Sequence, residues 1–311
     1  MRIGLISAAT YRYMDEPRRF GSHHGTAFAA TFNGFDAAEV AKHKWTFVRA
    51  TKRIEGAQVV KVWDTEKVWA ERLAKACNIK TVCDSPAECA EGVDVVIIID
   101  DGSGEQSKYA AVPLKKGIPT FCDKPLAMTG KKAKAVADLV KQTGTPFMSA
   151  SSLRFVPDIL KLKAEVAKLG PVHLAQTICG NELVYYGIHA LSMAYAVLGR
   201  GAISAINVGQ PGMNIVRIRF ADHRDVVLMV GESDWMRAGY QISLFGKQGW
   251  QTVKPDLKDL YWYLLKEFVS YVKTGKEPYP LDEEVELIAA LEAGKRSLTE
   301  QREVTIAEVL K

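Results

Sequence analysis

The feature of this sequence that most constrains its fold is an alternation of short apolar runs with helical patterns over about the first 125 residues. The apolar runs that fit strands cover residues 2–7, 58–63, 93–99 and 119–122. The helical patterns between them cover about 66–76 and 105–116. Because the second and third runs are almost wholly apolar, helices are expected on both faces of the sheet. The alternation therefore predicts an α/β fold built on a doubly wound parallel sheet.

After Pro125 the pattern changes. Two helical patterns are followed by runs such as 216–220 and 240–244, in which apolar and polar residues alternate. Alternation of this kind indicates strands with one wet face, and hence an α+β domain with a mostly antiparallel open-faced sheet. The length of 311 residues is about twice the ~150 of one domain. We therefore expect two domains, 1–124 and 125–311.

Charge and cysteine usage exclude several classes of partner and site. The 41 Lys and Arg exceed the 36 Asp and Glu by only 5, and the excess is not gathered into a basic tract, so no nucleic acid partner is expected. No apolar stretch approaches the ~18 residues of a membrane span. The 5 cysteines are scattered without a C-x-x-C pair. They indicate reduced thiols in a cytoplasmic protein, with neither a disulfide framework nor a metal cluster.

Parallel sheets of this kind bind ligands outside the carboxyl ends of their strands, so the residues that follow each strand are candidates for function. Asp64 follows the second apolar run. Its carboxylate could accept hydrogen bonds from the adenosine ribose of a dinucleotide, and it would repel a 2′-phosphate. This interpretation favours NAD over NADP. The alternative is that Asp64 caps the following helix.

The turn after the first strand lacks the glycine-rich pattern G-x-G-x-x-G that lets a backbone approach a pyrophosphate. Ser7 and Ala8 are small enough to permit that approach, and the next helix is expected to begin near Ser22 as its cap. About 30 extra residues separate the first strand from Asp64, and the stretches 11–20 and 35–54 look like insertions. Four residues in this region could supply phosphate contacts, although a solvated loop is the preferred interpretation: Arg18, Arg19, His23 and His24.

Further acids follow the third and fourth strands. Asp100 and Asp101 lie in a glycine-containing loop, where they could hold ribose or sugar hydroxyls or cap the next helix. Asp123 and Lys124 follow the fourth strand and precede Pro125. Lys124 could equally be a surface cation beside Asp123.

The segment Asp123-Lys124-Pro125 resembles the Glu-Lys-Pro signature of the glucose-fructose oxidoreductase / inositol dehydrogenase / rhizopine catabolism superfamily, with Asp in place of Glu. The resemblance extends over most of the chain, including its Rossmann-like first half. It rests on four further motifs, Ser152-Leu153-Arg154-Phe155, Leu169-Gly170-Pro171-Val172, Gly187-Ile188-His189 and Gly275-Lys276-Glu277-Pro278. The Lys-Pro and Gly-x-His steps lie about 65 residues apart.

This resemblance implies a nicotinamide-dependent oxidoreductase that transfers hydride between NAD and a hydroxyl or carbonyl of a sugar, cyclitol or related polyol. It also implies a second domain that binds substrate and builds a homodimer or homotetramer. Lys124 would lie between nicotinamide and substrate, where an ammonium can stabilise an alkoxide or relay a proton, and His189 would act as the base. The expected cofactor-binding residues are Ser7, Ala8, Asp64, Asp100, Asp101, Asp123 and Lys124.

The second motif departs from the family's Asp-x-x-x-His-x-x-Asp pattern, because Tyr185 and Ser192 stand where the acids would be. On a helix these residues would share one face with His189, so Tyr185 could hydrogen-bond the imidazole or act as the acid itself. Tyr186 and Arg154 are expected to join His189 in binding substrate. The alternatives are that Arg154 forms an ion pair within its domain and that His189 is a core residue.

Two other functions fit the same residues. The missing glycine turn and the missing acids are also compatible with a non-catalytic sugar- or dinucleotide-binding regulatory protein on this fold. A redox-neutral lyase or glycosidase that uses bound NAD transiently is the other alternative, because that chemistry occurs in the superfamily that the sequence resembles.

Overall fold

The computed structural model describes residues 1–13, 16–43 and 50–311. The strands are β1 (Arg2–Ile6), β2 (Thr10–Tyr11), β3 (Arg19–Phe20), β4 (Gln58–Trp63), β5 (Thr81–Val82), β6 (Val95–Ile98), β7 (Thr120–Cys122), β8 (Phe147–Ser149), β9 (Val172–Gly180), β10 (Ala202–Asn207), β11 (Met213–Phe220), β12 (Asp225–Gly231), β13 (Gln241–Gly246), β14 (Gly249–Val253) and β15 (Val304–Thr305). The helices are α1 (His23–Asn33), α2 (Ala37–Ala41), α3 (Lys67–Ala76), α4 (Pro86–Cys89), α5 (Ser107–Lys115), α6 (Gly130–Thr143), α7 (Pro157–Glu165), α8 (Gly187–Leu198), α9 (Leu260–Thr274), α10 (Leu281–Glu300) and α11 (Ile306–Leu310). None of the helices in the described residues is both long and apolar enough to cross a membrane.

The described residues divide into two compact units that are not continuous in sequence. The first unit comprises Met1–Leu126, Val136–Ser149 and Tyr261–Pro278. The second comprises Ala127–Ala135, Ala150–Leu260 and Tyr279–Lys311.

The larger sheet of the first unit has the strand order β5-β4-β1-β6-β7-β8, and each neighbouring pair is parallel. The predicted doubly wound parallel sheet is therefore confirmed. Every residue of β6 is buried, as its continuous apolar run predicts for a central strand. The strand order reverses between β1 and β6, which is the edge where sheets of this type bind ligands.

The first unit extends beyond the boundary that the sequence suggests at residue 124. After α6 the chain adds β8, which pairs with β7. Far later, α9 returns, and its Phe268 ring packs 5.5 Å from Phe121 of β7. The sequence did not reveal these returns because an amphipathic helical pattern shows that one face is buried but not which core it joins.

Of the two insertions suggested between β1 and β4, the first carries a small antiparallel pair, in which β2 lies against β3. Tyr11 of this pair also bridges to Asp101, beyond β6. The second insertion contains α2, and its residues 44–49, like residues 14–15 of the first, lie outside the described part of the chain.

The sheet of the second unit has the order β14-β13-β9-β12-β11-β10-β15. Its pairs are antiparallel except β12 with β9, which confirms the predicted mostly antiparallel sheet. Buried and partly exposed residues alternate along β11 and β12. The buried side packs against α8 and α10, so one face of the sheet forms the core.

A buried ionic cluster joins the start of α10 to the 3₁₀ turn Ser152–Phe155. The Arg154 guanidinium pairs with Glu283 and lies 3.8 Å from the centre of the Tyr279 ring. The Tyr279 hydroxyl donates to Glu284 at 3.3 Å. Burial raises the pKa of Glu284 to about 7, although nearby Arg154 acts to lower it.

Gly25 allows α1 to pack closely against the turn that follows β1. A Cβ at this position would lie 1.7 Å from the carbonyl oxygen of Ala8. Replacing Gly25 by alanine should therefore lower the free energy of unfolding by about 2–3 kcal/mol, because backbone must move to relieve the clash. Gly239→Ala is the matched control, since a Cβ there meets nothing within 4 Å, and it should cost less than about 0.5 kcal/mol. Chemical denaturation measures both, and equal losses would contradict the packing described.

Glu284 should make stability depend on pH. Its pKa is about 7 in the folded chain, against an ordinary value of 4.5, so the unfolded chain loses this proton first as pH rises. Stability is then lost between about pH 4.5 and 7, by about 3 kcal/mol at 1.36 kcal/mol per unit. Glu284→Gln cannot ionise, so its stability relative to wild type should rise by that amount over the same interval. Denaturant titrations at both pH values test this expectation.

The control for that experiment is Asp282→Asn, on the same turn of α10 but with a half-exposed side chain. Over the same interval this variant should not reproduce the gain of about 3 kcal/mol expected for Glu284→Gln. A Glu284→Gln difference that does not change with pH would mean that the Glu284 carboxyl titrates normally in the folded protein.

Candidate functional site

The carboxyl ends of β1 and β6 carry Ser7 and Asp100, and both have left-handed backbone conformations, with φ of 52° and 45°. Glycine is the usual residue in this region, and other residues need compensating contacts. Here the Ser7 hydroxyl donates to Asp100 Oδ1 at 3.0 Å, and the Asp100 N–H donates to the Ser7 carbonyl at 2.9 Å. Ser7 thus forms the turn that the first glycine forms in glycine-rich loops.

Gly25 takes over another function of such a loop, namely close packing between helix and strand. It lies beyond β2 and β3, so the residues that substitute for the glycine pattern are separated by the insertion. Ala8, predicted to touch the cofactor, is fully buried and presents its carbonyl to Gly25.

Asp64, predicted to bind ribose, is 4% exposed and is surrounded by donors from its own chain. Its Oδ2 accepts the backbone N–H groups of Ala9 and Thr10, both at 2.8 Å. Its Oδ1 accepts the Thr65 N–H at 2.7 Å and the Thr10 hydroxyl. The alternative role as a helix cap does not apply, because α3 begins at Lys67 with Glu66 as its N-cap residue.

Asp101 lies over the N-terminus of α1. Its Oδ2 accepts the Ser22 hydroxyl at 3.0 Å and the His24 N–H at 3.1 Å. Ser22 is the predicted cap of α1 and accepts the Gly25 N–H at 2.8 Å. Burial would raise the pKa of Asp101, but the charges of His24 and Lys124 and these two hydrogen bonds lower it overall. Asp101 therefore carries a buried negative charge at a helix N-terminus, where anions are stabilised.

These contacts bear on whether the first unit can hold a dinucleotide. The strand reversal between β1 and β6 and the close packing of α1 fit such a ligand. The backbone donors near the expected phosphate position, however, are engaged by the carboxylates of Asp64 and Asp101. A phosphate charge about 5 Å from a carboxylate at an effective dielectric constant of ~20 is repelled by about 3 kcal/mol. A pyrophosphate can use these donors only by exchange with the carboxylates.

Lys124, at the end of β7, is 2% exposed, which argues against the alternative of a surface cation. Burial lowers the pKa of the Lys124 ammonium, although the charges of Asp123 and Asp101 raise it. Asp123 is also buried, and its Oδ2 lies 2.7 Å from Nδ1 of His24. The first unit thus groups a lysine, two acids and a histidine at one sheet edge.

His24 is the member of this group that the sequence assigned differently, as a candidate phosphate contact in a loop. It is the second residue of α1, and its ring lies 5.1 Å from the ring of Tyr261. The signal available in the sequence was its position two residues after the capping Ser22. Of the other candidates in this region, Arg18 pairs with Asp100 at 2.9 Å.

In the second unit, His189 lies in the first turn of α8 and is 8% exposed. Its Nδ1 is 2.7 Å from the hydroxyl of Ser151. The Ser151 hydroxyl also accepts the Leu153 N–H at 3.3 Å, so the 3₁₀ turn fixes it in place. Rings of Tyr186 and Tyr240 lie 6.3 and 5.5 Å from the imidazole. Ser151 was not predicted as a site residue, because it lies one residue before the motif that contains Arg154 and not within it.

Tyr185 does not share a helix face with His189, contrary to the expectation, because α8 begins only at Gly187. Tyr185 lies in the preceding turn, where its N–H donates to Glu182 at 2.5 Å and its ring contacts Tyr186. The helical pattern was extended too far because the sequence carries no strong cap at this point: Tyr186 is the N-cap residue, and its side chain does not cap the helix.

Arg154 is found in the ion pair with Glu283 that was the alternative to substrate binding. Its Nη1 is buried and has no hydrogen-bond partner within the described residues. Contact of Arg154 with substrate therefore stays a prediction, and Nη1 is the atom that could make it.

Comparison with known proteins adds the family. Residues 19–151 match the family described as "oxidoreductase family, NAD-binding Rossmann fold". An inositol 2-dehydrogenase of Saccharopolyspora erythraea is 22% identical over 218 residues, which cover 63% of this chain and 64% of that protein. The scyllo-inositol 2-dehydrogenase (NAD(+)) of Bacillus subtilis is 32% identical over 117 residues, or 36% of this chain and 33% of that protein. The chain thus spans less than two thirds of these curated relatives.

Solved structures match over almost the whole chain. A probable dehydrogenase from Thermotoga maritima has a TM-score of 0.78 at 18% identity and covers 99% of this chain and 100% of its own. The myo-inositol dehydrogenase of Lactobacillus casei, solved with NAD(H) and myo-inositol, has a TM-score of 0.77 at 14% identity and covers 98% of this chain and 96% of its own. At these identities the structures establish the fold, and together with the family match they confirm the resemblance noted in the sequence. The match over residues 19–151 agrees with the resemblance to the glucose-fructose oxidoreductase / inositol dehydrogenase / rhizopine catabolism superfamily.

Proposed function

We propose that this protein is an NAD-dependent oxidoreductase that transfers hydride between nicotinamide and a hydroxyl or carbonyl of a sugar or cyclitol. The observation that carries the proposal is the buried Lys124 at the end of β7, with Asp101 and Asp123 beside it. An ammonium in this position is desolvated and has a lowered pKa, which suits a group that must give up and regain a proton.

A dinucleotide would lie along the carboxyl ends of β1 and β6, with its phosphates at the N-terminus of α1. Nicotinamide supplies the acceptor or donor of hydride when bound. Lys124 stabilises the negative charge that develops on the substrate oxygen and relays its proton, and the charges of Asp123 and Asp101 partly offset the lowering of its pKa by burial. Asp64 follows β4, where the adenosine ribose is expected, and its charge disfavours a 2′-phosphate there, which supports NAD over NADP.

His189 of the second unit is proposed as the base that takes the hydroxyl proton. Ser151 replaces the acid of the family pattern as the partner of Nδ1. A hydroxyl orients the imidazole without adding charge, so the tautomer with its proton on Nδ1 or on Nε2 depends on which way the hydroxyl points. Tyr185 and Tyr186 remain candidates for contact with the substrate, as catalytic acid and binding residue respectively.

Homodimer or homotetramer formation stays part of the proposal. The open face of the second unit's sheet carries exposed large apolar side chains, including Leu174, Phe245 and Trp250. Apolar residues grouped in this way on a sheet face are typical of surfaces that other chains cover.

A second function is favoured by one specific observation, the engagement of Asp64 and Asp101 with the donors that a pyrophosphate would use. A non-catalytic sugar-binding protein on this fold would tolerate such contacts. Calorimetry distinguishes the two functions, because sugar binding that survives Lys124→Ala in a protein without turnover would favour the regulatory one.

We expect purified protein to change the absorbance of nicotinamide when NAD or NADP is combined with a panel of inositols, hexoses and other polyols. NAD should be preferred, because Asp64 repels a 2′-phosphate on the adenosine ribose. Product formed without net reduced nicotinamide would indicate the lyase or glycosidase instead. If no polyol in the panel gave product with either cofactor, the result would count against the proposed catalytic function.

Lys124→Arg should lower kcat at least about 100-fold, because a guanidinium keeps the charge but does not exchange its proton at neutral pH. Lys108→Arg, on the exposed side of α5, is the matched control and should leave kcat unchanged. Steady-state kinetics from about pH 6 to 10 test both variants. If Lys124→Arg retained both kcat and the alkaline limb of the profile, Lys124 would not relay the proton.

A further inference from the structure

We propose that Asp101 and Asp64 are internal occupants of the dinucleotide's phosphate site, so that binding of a pyrophosphate group competes with these two carboxylates. The inference rests on the proposed function for the location of the dinucleotide. It goes beyond that function by naming two residues of this chain that set its affinity.

The first step is the identity of the donors. A pyrophosphate at the N-terminus of the first helix of such a sheet is bound by backbone N–H groups of the turn and of the first helical residues. In this chain the turn contributes Ala9 and Thr10, and the helix contributes His24. All three N–H groups donate to a carboxylate at 2.8–3.1 Å.

The second step is the character of these acids. Asp101 and Asp64 are 4% exposed each, so they are fixed parts of the site rather than mobile surface groups. Burial would raise the pKa of Asp101, but the charges of His24 and Lys124 and its hydrogen bonds lower it overall, so Asp101 is ionised. A phosphate oxygen that approaches Asp101 therefore meets both an occupied donor and a like charge.

The third step is that Asp101 can be altered with little change in shape. The hydrogen bonds from Ser22 and from His24 reach the same oxygen of Asp101, Oδ2. An asparagine can place its carbonyl oxygen there and keep both bonds while removing the charge. Neutral acceptors hold an N–H less strongly than charged ones, so the donors also become easier to exchange.

The experiment is calorimetric titration of wild type and Asp101→Asn with NADH and, separately, with inorganic pyrophosphate at fixed low salt. We expect Asp101→Asn to bind NADH at least tenfold more tightly than wild type, and to bind pyrophosphate more tightly too. Asp64→Asn is the second variant and should act in the same direction. Asp84→Asn, which removes an equal charge from an exposed side chain, should change both affinities less than twofold.

Folding of each variant is checked by circular dichroism, and the second aspartate variant serves if Asp101→Asn does not fold. Folded variants that bind both ligands no better than wild type would overturn the inference, whether or not wild type binds NADH. If wild type then turns over a polyol with NAD, the proposed function still stands. If the variants gain pyrophosphate affinity but no protein binds NADH, the inference stands and the proposed function fails.

Discussion

The carboxylate of Asp101 is the group on which the ligand-binding edge of the first unit depends. This carboxylate receives hydrogen bonds from the cap of α1 and from the first turn of that helix. The backbone carbonyl of the same residue accepts the Arg12 N–H at 2.9 Å. Its charge also acts on Lys124. Asp101 therefore connects the start of α1, through its side chain, with the segment that contains β2, through its backbone, and with the end of β6. Buried charges persist only where several partners compensate for lost hydration, and Asp101 has them.

Part of the first unit could be predicted from the sequence, because β1, β4, β6 and β7 are compact apolar runs and α3 and α5 have helical patterns. β4 was predicted residue for residue, and Ser22 was identified as the cap of α1. The returns of β8 and α9 could not be predicted, because no local pattern specifies which of two cores an amphipathic segment joins. The site was harder still. Ser7 adopts a glycine-like conformation through contacts with Asp100, a residue 93 positions away.

The imidazole of His189 shows that the effect of a substitution in a motif can depend on a residue that is distant in sequence but close in the structure. The family pattern supplies acids on either side of the histidine in sequence, and both are absent from this chain. The structure provides Ser151 instead, from a turn 38 residues earlier. The geometry of the ring is preserved by a neutral partner, while the electrostatic support of a carboxylate is not. Comparison of sequences shows only that the two acids are lost, because a compensating contact between distant segments leaves no local signal in the sequence.

The return of α9 to the first unit has a consequence for how the chain is made. The core of that unit includes Phe268, which packs against Phe121, so the unit lacks part of its interior until the last quarter of the polypeptide has left the ribosome. Domains that are continuous in sequence can fold one after another during synthesis, whereas here the N-terminal segment must wait for a partner translated much later. During that interval β7 exposes an apolar surface, and a nascent chain in this state is a natural client for chaperones.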